Sequence, residues 1–216
     1  MHFGFLVARC EWAALRAELE RHGVRDEGVV TEPAGGCVGG EHAGRAYVID
    51  GEMMLSTSGD LVVELAARLH TLVVGCGAET VSGTSWLFAA EDGQPLRSVW
   101  SCAEELAVPF AQGAWPPGRP VAIDDLDGDG LRTILRRAGF DADGIVARGR
   151  HRRLALPDDL DLPRGVVDAA IAAHRQAHLL PSDRRPEPQL VVRAGAARGG
   201  AARPGFVAKL RRFFGR

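Results

Sequence analysis

No stretch of the chain approaches the roughly 20 consecutive apolar residues of a membrane-crossing helix, so a helical span is excluded. Cysteine is scarce: Cys10, Cys37, Cys76 and Cys102 form no CxxC pair, which argues against a disulfide scaffold or zinc ribbon. They read as reduced thiols acting as small hydrophobes at strand ends. Lysine is nearly absent, Lys209 being the one lysine among 26 basic residues. Arginine replaces lysine on a surface without structural consequence. The skew therefore reads as the mark of a GC-rich bacterial genome rather than of phosphate binding. The start, MHFGFLVARCEW, lacks the basic n-region and long apolar core of a signal peptide, which implies a cytoplasmic location. What is present is ordinary globular composition: 216 residues, 46% hydrophobic and 25% charged. A body of about 180 residues buries roughly 70% of its unfolded surface without metal or disulfide.

The net charge of −2 conceals an asymmetry. Residues 183–216 carry nine basic side chains against Asp183 and Glu187, a net +7, whereas 1–182 hold 17 basic against 26 acidic, a net −9. An acidic body and a cationic tail share one chain.

Local pattern supplies the element order. Residues 2–8 alternate Phe3, Phe5 and Val7 as an opening strand. Residues 11–22 set Trp12, Leu15 and Leu19 on one helical stripe, stopped by Gly23. The Gly-rich stretch 25–44 reads as a loop around a short strand at 29–31, and 45–50 and 52–56 as two strands about Asp50-Gly51. Ser58 caps a helix over 60–70, and 71–76 is a strand. Residues 85–91 and 94–102 flank Asp92-Gly93 as a type I′ hairpin. Trp86 and Phe88 share a face of its first arm, and Leu96, Ser98 and Trp100 alternate on its second. Residues 108–120 read as irregular, 121–123 as an edge strand and 131–138 as a short helix ended by Gly139. A variable stretch, 141–161, precedes a helix from Pro163 to about 178. The order implies an α+β domain over 1–181, a largely antiparallel sheet with helices packed on one face. A flexible Arg/Ala/Gly/Pro linker over 182–204 and a short basic amphipathic helix over 205–216 follow.

Few motifs carry chemistry. Asp125, Asp127, Asp129 and Gly130 spell D-x-D-x-D-G, the first half of a calcium loop whose alternate oxygens wrap a hard cation. Position twelve is Arg136, which cannot ligate, so capping of the following helix by Asp127 or Asp129 is the reading preferred. His174 and His178 stand one helical turn apart as zinc ligands can, but HRQAH lacks the glutamate of HExxH and a third ligand. They read as surface residues that complement a helix C-terminus. GGCVGG (35–40) and GCGAETVSG (75–83) lack the strand-to-helix setting of a phosphate loop, and Ser82 and Ser85 lie in no G-x-S-x-G elbow. Cys76 and Cys102 have no base readable nearby, and Trp86 and Trp100 read as core. No catalytic residue, metal or other cofactor is expected. The alternative is an enzyme whose site is assembled from distant residues around Asp125, Asp127 and His70.

The tail is the most informative segment. At 100° per residue, Phe206, Val207, Leu210, Phe213 and Phe214 fall within an arc of about 120°, with Lys209, Arg211, Arg212 and Arg216 opposite. Apolar rings that enter an acyl boundary while cations meet anionic headgroups suit a bilayer interface. GFVAKLRRFFGR resembles the C-terminal membrane-targeting tails of the bacterial Min-system division-site ATPases over this dozen residues. The resemblance implies membrane targeting, and since the phosphate loop of that family is lacking it implies no ATPase activity. The run ETVSGTSWLFAAEDGQPLRSVWSC resembles small uncharacterised bacterial proteins, some presumed to be toxin-neutralising immunity proteins, which implies a domain that sequesters a partner.

The chain thus reads as a non-catalytic protein-binding domain, immunity-like or adaptor, cytoplasmic and peripheral on the inner face of the plasma membrane. Its acidic body suits a basic protein partner such as a toxin. The first alternative for the tail is a helix that docks on a protein partner or on the acidic body of this chain; nucleic-acid binding through the Arg-rich tail, with steep salt dependence and no lipid preference, is the weaker one.

Overall fold

A computed structural model describes residues 2–31, 35–79, 81–116, 126, 128–148 and 150–181. The linker and tail, the strand expected at 121–123, and Asp125 and Asp127 lie outside the described residues. In chain order the elements are β1 (His2–Ala8), α1 (Trp12–Arg21), β2 (Arg25–Val30), β3 (Cys37–His42), β4 (Arg45–Asp50), α2 (Gly59–Leu69) and β5 (Leu72–Glu79). They continue with β6 (Thr84–Glu91), β7 (Gln94–Cys102), β8 (Phe110–Gly113), α3 (Gly128–Ala138), α4 (Ala142–Arg148), β9 (Arg150–Ala155) and α5 (Val166–His178).

The strands form one nine-stranded sheet in the order β2-β9-β3-β4-β1-β5-β6-β7-β8. Every pairing is antiparallel. Central β1 is apolar on both faces because both are covered. Phe5 and Val7 point into a core closed by Leu131, Ile134 and Leu135 of α3 and Ile145 of α4. Leu6 and Ala8 point into a second core closed by Leu15 and Leu19 of α1, Leu61 and Leu65 of α2, and Val167 and Ile171 of α5. Each fully buried leucine or phenylalanine contributes on the order of 2 kcal/mol, so both layers are needed. The α+β class with an antiparallel sheet holds, while the helices expected on one face lie on both.

Elements governed by local chemistry fall where the pattern puts them. Ser58 Oγ accepts from the Leu61 N–H at 3.2 Å to start α2, and His70 ends it in a left-handed conformation with φ +49°. Asp92 (φ +49°) and Gly93 (φ +78°) make the β6–β7 turn, positive φ at both central positions being the type I′ signature. A bulge beside Ala89/Ala90 leaves Leu96 without a partner and turns it toward the α3 face, while Trp100 stays opposite Trp86.

Other expectations are corrected. The Gly-rich 25–44 segment contains two full strands, β2 and β3. The hairpin there turns at Ala43 and Gly44, not at Asp50-Gly51, and 52–56 is not a strand. Buried Asp50 accepts instead from the N–H groups of Leu55 and Ser56, both at 2.8 Å, and folds that segment into a turn. The irregular 108–120 stretch holds β8, and the variable 141–161 stretch holds α4 and β9, the latter inserted between β2 and β3. The last helix begins at Val166 rather than Pro163, because its first turn is capped from α2. Asp60 accepts from the N–H of Gly165 (2.7 Å), Val167 (3.1 Å) and Asp168 (2.9 Å).

Candidate functional site

The helical layer of α1, α2 and α5 stops short of one corner of the sheet. There the ends of β2, β9 and β3 floor a cleft of about 850 Å³, lined by Trp12, Val29, Thr31, Glu41, Arg150 and Arg152 among others. Antiparallel register explains the grouping. Val29 faces Arg152, Arg152 faces Gly39, and Arg150 faces Glu41, so alternate side chains of three strands stand in two rows.

Trp12 walls the cleft because Gly39 leaves room for it. A side chain at Gly39 would collide with the indole at Cη2 and would stand 2.6 Å from Cζ3. The Trp12 backbone N–H donates to Glu41 Oε2 at 2.9 Å, so β3 supplies the helix cap that the side chain of Glu11 does not. One carboxylate of the cleft is thereby engaged.

The second neighbouring carboxylate is engaged too. Asp26 receives Arg152 Nε, Arg16 Nη1 at 3.5 Å and the Gly28 N–H at 2.9 Å. Burial would raise its pKa, but Arg152 together with the Gly28 N–H and Arg16 outweighs burial and holds the group below its ordinary value. Arg150 differs: its side chain is exposed and makes no hydrogen bond or ion pair among the described residues. The site therefore offers one free guanidinium beside an indole wall and the exposed apolar side chain of Val29, 73% accessible.

On the opposite face the same strands are locked. Tyr47, Gly40, His151 and Val30 form one row across β4, β3, β9 and β2. Tyr47 Oη reaches over Gly40 to His151 Nδ1 at 2.8 Å, with both side chains buried. Any Cβ on Gly40 would strike the Arg150 carbonyl and come within 2.8 Å of that hydroxyl. Burial pulls the His151 pKa below its usual 6.5, against a hydrogen bond to the Val146 backbone that favours the charged ring. It likewise pushes the Tyr47 phenol well up. The pair is a neutral clasp that holds β9 in the sheet.

The residues singled out by sequence scatter. Asp129 and Gly130 lie in the first turn of α3, and the helix runs on through Arg136, so positions 7–12 of the supposed calcium loop are helical. Among the described residues no group of three or more His, Cys, Asp or Glu could hold a metal. His174 Nε2 is bonded to the Val108 carbonyl at 2.7 Å, and its ring packs edge-on to Phe110 and beside His178, whose rings are 4.3 Å apart. These histidines fasten the 107–110 segment to α5. His70 is an exposed helix end. Trp86 and Trp100 form a cross-strand core pair with centroids 6.4 Å apart.

Burial pushes the thiols up, Cys10 to about 11, Cys76 to about 12 and Cys37 well above 9, opposite to what a nucleophilic thiolate requires. The residues of the cleft were not singled out by sequence reasoning. The signal was present in RHRRLA (150–155), where Arg150, Arg152 and Leu154 alternate with His151 and Arg153, but its charge made a strand hard to credit. Comparison with protein-family models, curated proteins and solved structures finds no match for this chain.

Proposed function

We propose that the described domain is a non-catalytic protein-binding module, immunity-like or adaptor, which residues 206–216 hold reversibly on the anionic inner face of the plasma membrane. The observation that carries the reading is the division of charge and pattern along the chain. A net −9 over 1–182 is joined to +7 over 183–216, with the apolar arc of Phe206, Val207, Leu210, Phe213 and Phe214 opposite Lys209, Arg211, Arg212 and Arg216. Each cation near an anionic surface contributes about 1 kcal/mol, so four of them plus the apolar arc give reversible binding rather than permanent anchorage.

The tail departs from the end of α5, where Leu180 N–H bonds the Glu105 carbonyl at 2.7 Å. That point is distant in the strand order from the cleft: β8, which α5 contacts, and β2 are the two edges of the sheet. A partner can then occupy the cleft while the tail is on lipid. The acidic body steers a basic partner toward itself at long range. No helix among the described residues is long and apolar enough to cross a membrane, which leaves the tail as the route to the surface.

Co-sedimentation with phosphatidylglycerol-rich and with pure phosphatidylcholine vesicles tests the anchor. The full chain pellets with the anionic vesicles alone, and Leu210→Glu or truncation after residue 181 leaves it in the supernatant. Undiminished pelleting of Leu210→Glu would sink the anchor. Steep salt-dependent binding to nucleic acid without lipid preference would replace it with the alternative role for the tail.

A further inference from the structure

We propose that the outer edge of β2 and the cleft beside it form a docking site for an extended acidic segment of a protein partner, which adds to the sheet as a further strand. The inference rests on the protein-binding reading and names the chemistry of the segment bound. β2 is the terminal strand of the sheet, so its outer row of backbone N–H and C=O groups has no strand partner among the described residues. Such an edge pairs with an incoming strand unless something blunts it. The bulge between Asp26 and Gly28 blunts the first half of β2 and leaves Gly28 to Thr31 as the pairing stretch.

The side chains around that stretch set the preference. On the cleft face stand exposed Val29 and free Arg150, with Trp12 as the far wall. On the opposite face the exposed side chain of Arg153, which stands across from Gly28, is also without hydrogen bonds or ion pairs among the described residues. The nearby carboxylates Asp26 and Glu41 are already bonded within the fold. Glu27, exposed on β2, is the bulged residue that immediately precedes the pairing stretch, and Arg25 lies on the far side of that bulge. Arg150 and Arg153, one on each face, thus meet an added strand along the pairing stretch, and the charge complement of that edge is acidic although the body as a whole is negative. Strands lie about 4.8 Å apart, so a residue of the added strand is roughly 10 Å from the Arg150 Cα across β2. An extended arginine and a glutamate side chain close that gap between them. An alternating apolar and acidic segment places its apolar residues beside Val29 or its carboxylates before Arg150, depending on register.

The test titrates the ¹⁵N-labelled full chain with a blocked octapeptide of alternating valine and glutamate, and separately with its valine–lysine counterpart. The valine–glutamate peptide shifts the backbone amides of Gly28 to Thr31 and the Arg150 Nε, and slows amide exchange along β2. Arg150→Glu, an exposed change that leaves the sheet intact, weakens that binding about tenfold and turns the preference toward the lysine peptide. Shifts confined to residues 183–216, equal response of β2 to both peptides, or no response at β2 would each overturn the proposal. Vesicle binding that persists without any response at β2 removes this inference and leaves the anchor standing. A response at β2 in a chain that ignores vesicles does the reverse.

Discussion

Gly40 matters because of what stands on either side of it. Tyr47 and His151 meet across its bare Cα, and the Arg150 carbonyl lies where a Cβ would be. Because that carbonyl is backbone, it cannot swing aside. Gly40→Ala is expected to cost about 1–3 kcal/mol, the range of core overpacking, read as a lowered denaturation midpoint with β9 amides losing exchange protection first. His151 carries a pH dependence whose sign follows from its depressed pKa. The unfolded ring binds its proton near 6.5 and the folded ring does so only at lower pH. The stabilisation is therefore complete above about 6.5 and is lost as pH falls below it. Urea titrations at pH 7.5 and 5.5 should show wild type losing more stability between the two than His151→Gln. Equal losses would mean that the ring is not buried neutral. Neither Gly39 nor Gly40 was legible as a strand residue. Glycine enrichment ordinarily marks a loop, and only the indole of Trp12 and the Tyr47–His151 clasp explain why side chains are excluded there.

At the scale of elements, α5 depends on a group outside itself. Its N-cap, Gly165, has no side chain, and three of its first N–H groups point at the Asp60 carboxylate on α2. Burial and then the Asp60 charge raise the pKa of neighbouring Asp168, a sign of how closely the two carboxyls sit. Asp60→Ala should destabilise the fold by about 1–2 kcal/mol, as loss of an N-cap does. Hydrogen exchange should rise at residues 165–168 while β5 remains protected. Unchanged exchange there would mean that the cap is dispensable. The contrast with α2 shows what local pattern conveys. Ser58 is three residues from the N–H it caps and can be read directly, whereas Asp60 lies 105 residues from Gly165 and cannot. The β6–β7 hairpin is legible for the same reason as α2, and β9 is not. Its partners β2 and β3 lie more than a hundred positions earlier, and its arginines suit the rim of a cleft rather than a buried ladder.

For the whole molecule, the division between acidic body and basic tail gives the proposed anchor a salt dependence. Because about 1 kcal/mol per cation is electrostatic and screened within a Debye length near 8 Å at physiological ionic strength, pelleting with anionic vesicles should fall as sodium chloride is raised from 50 to 500 mM. The phenylalanines keep a residual fraction bound. Complete insensitivity to salt would remove the headgroup contacts from the anchor.

Composition, periodicity and turn chemistry by themselves determined the α+β class, the antiparallel hairpin and α2 with its cap, because each is a matter of residues within a few positions of one another. The order of strands, the covering of both faces and the cleft were decided by tertiary structure alone. A central strand that is apolar on both sides must be covered twice, and which distant helix does so is set by packing volume and not by local pattern. The arginine of the cleft belongs to the same class of fact: the sequence contains 25 arginines, and only the fold distinguishes Arg152, paired with Asp26, from Arg150, whose exposed side chain has no partner among the described residues.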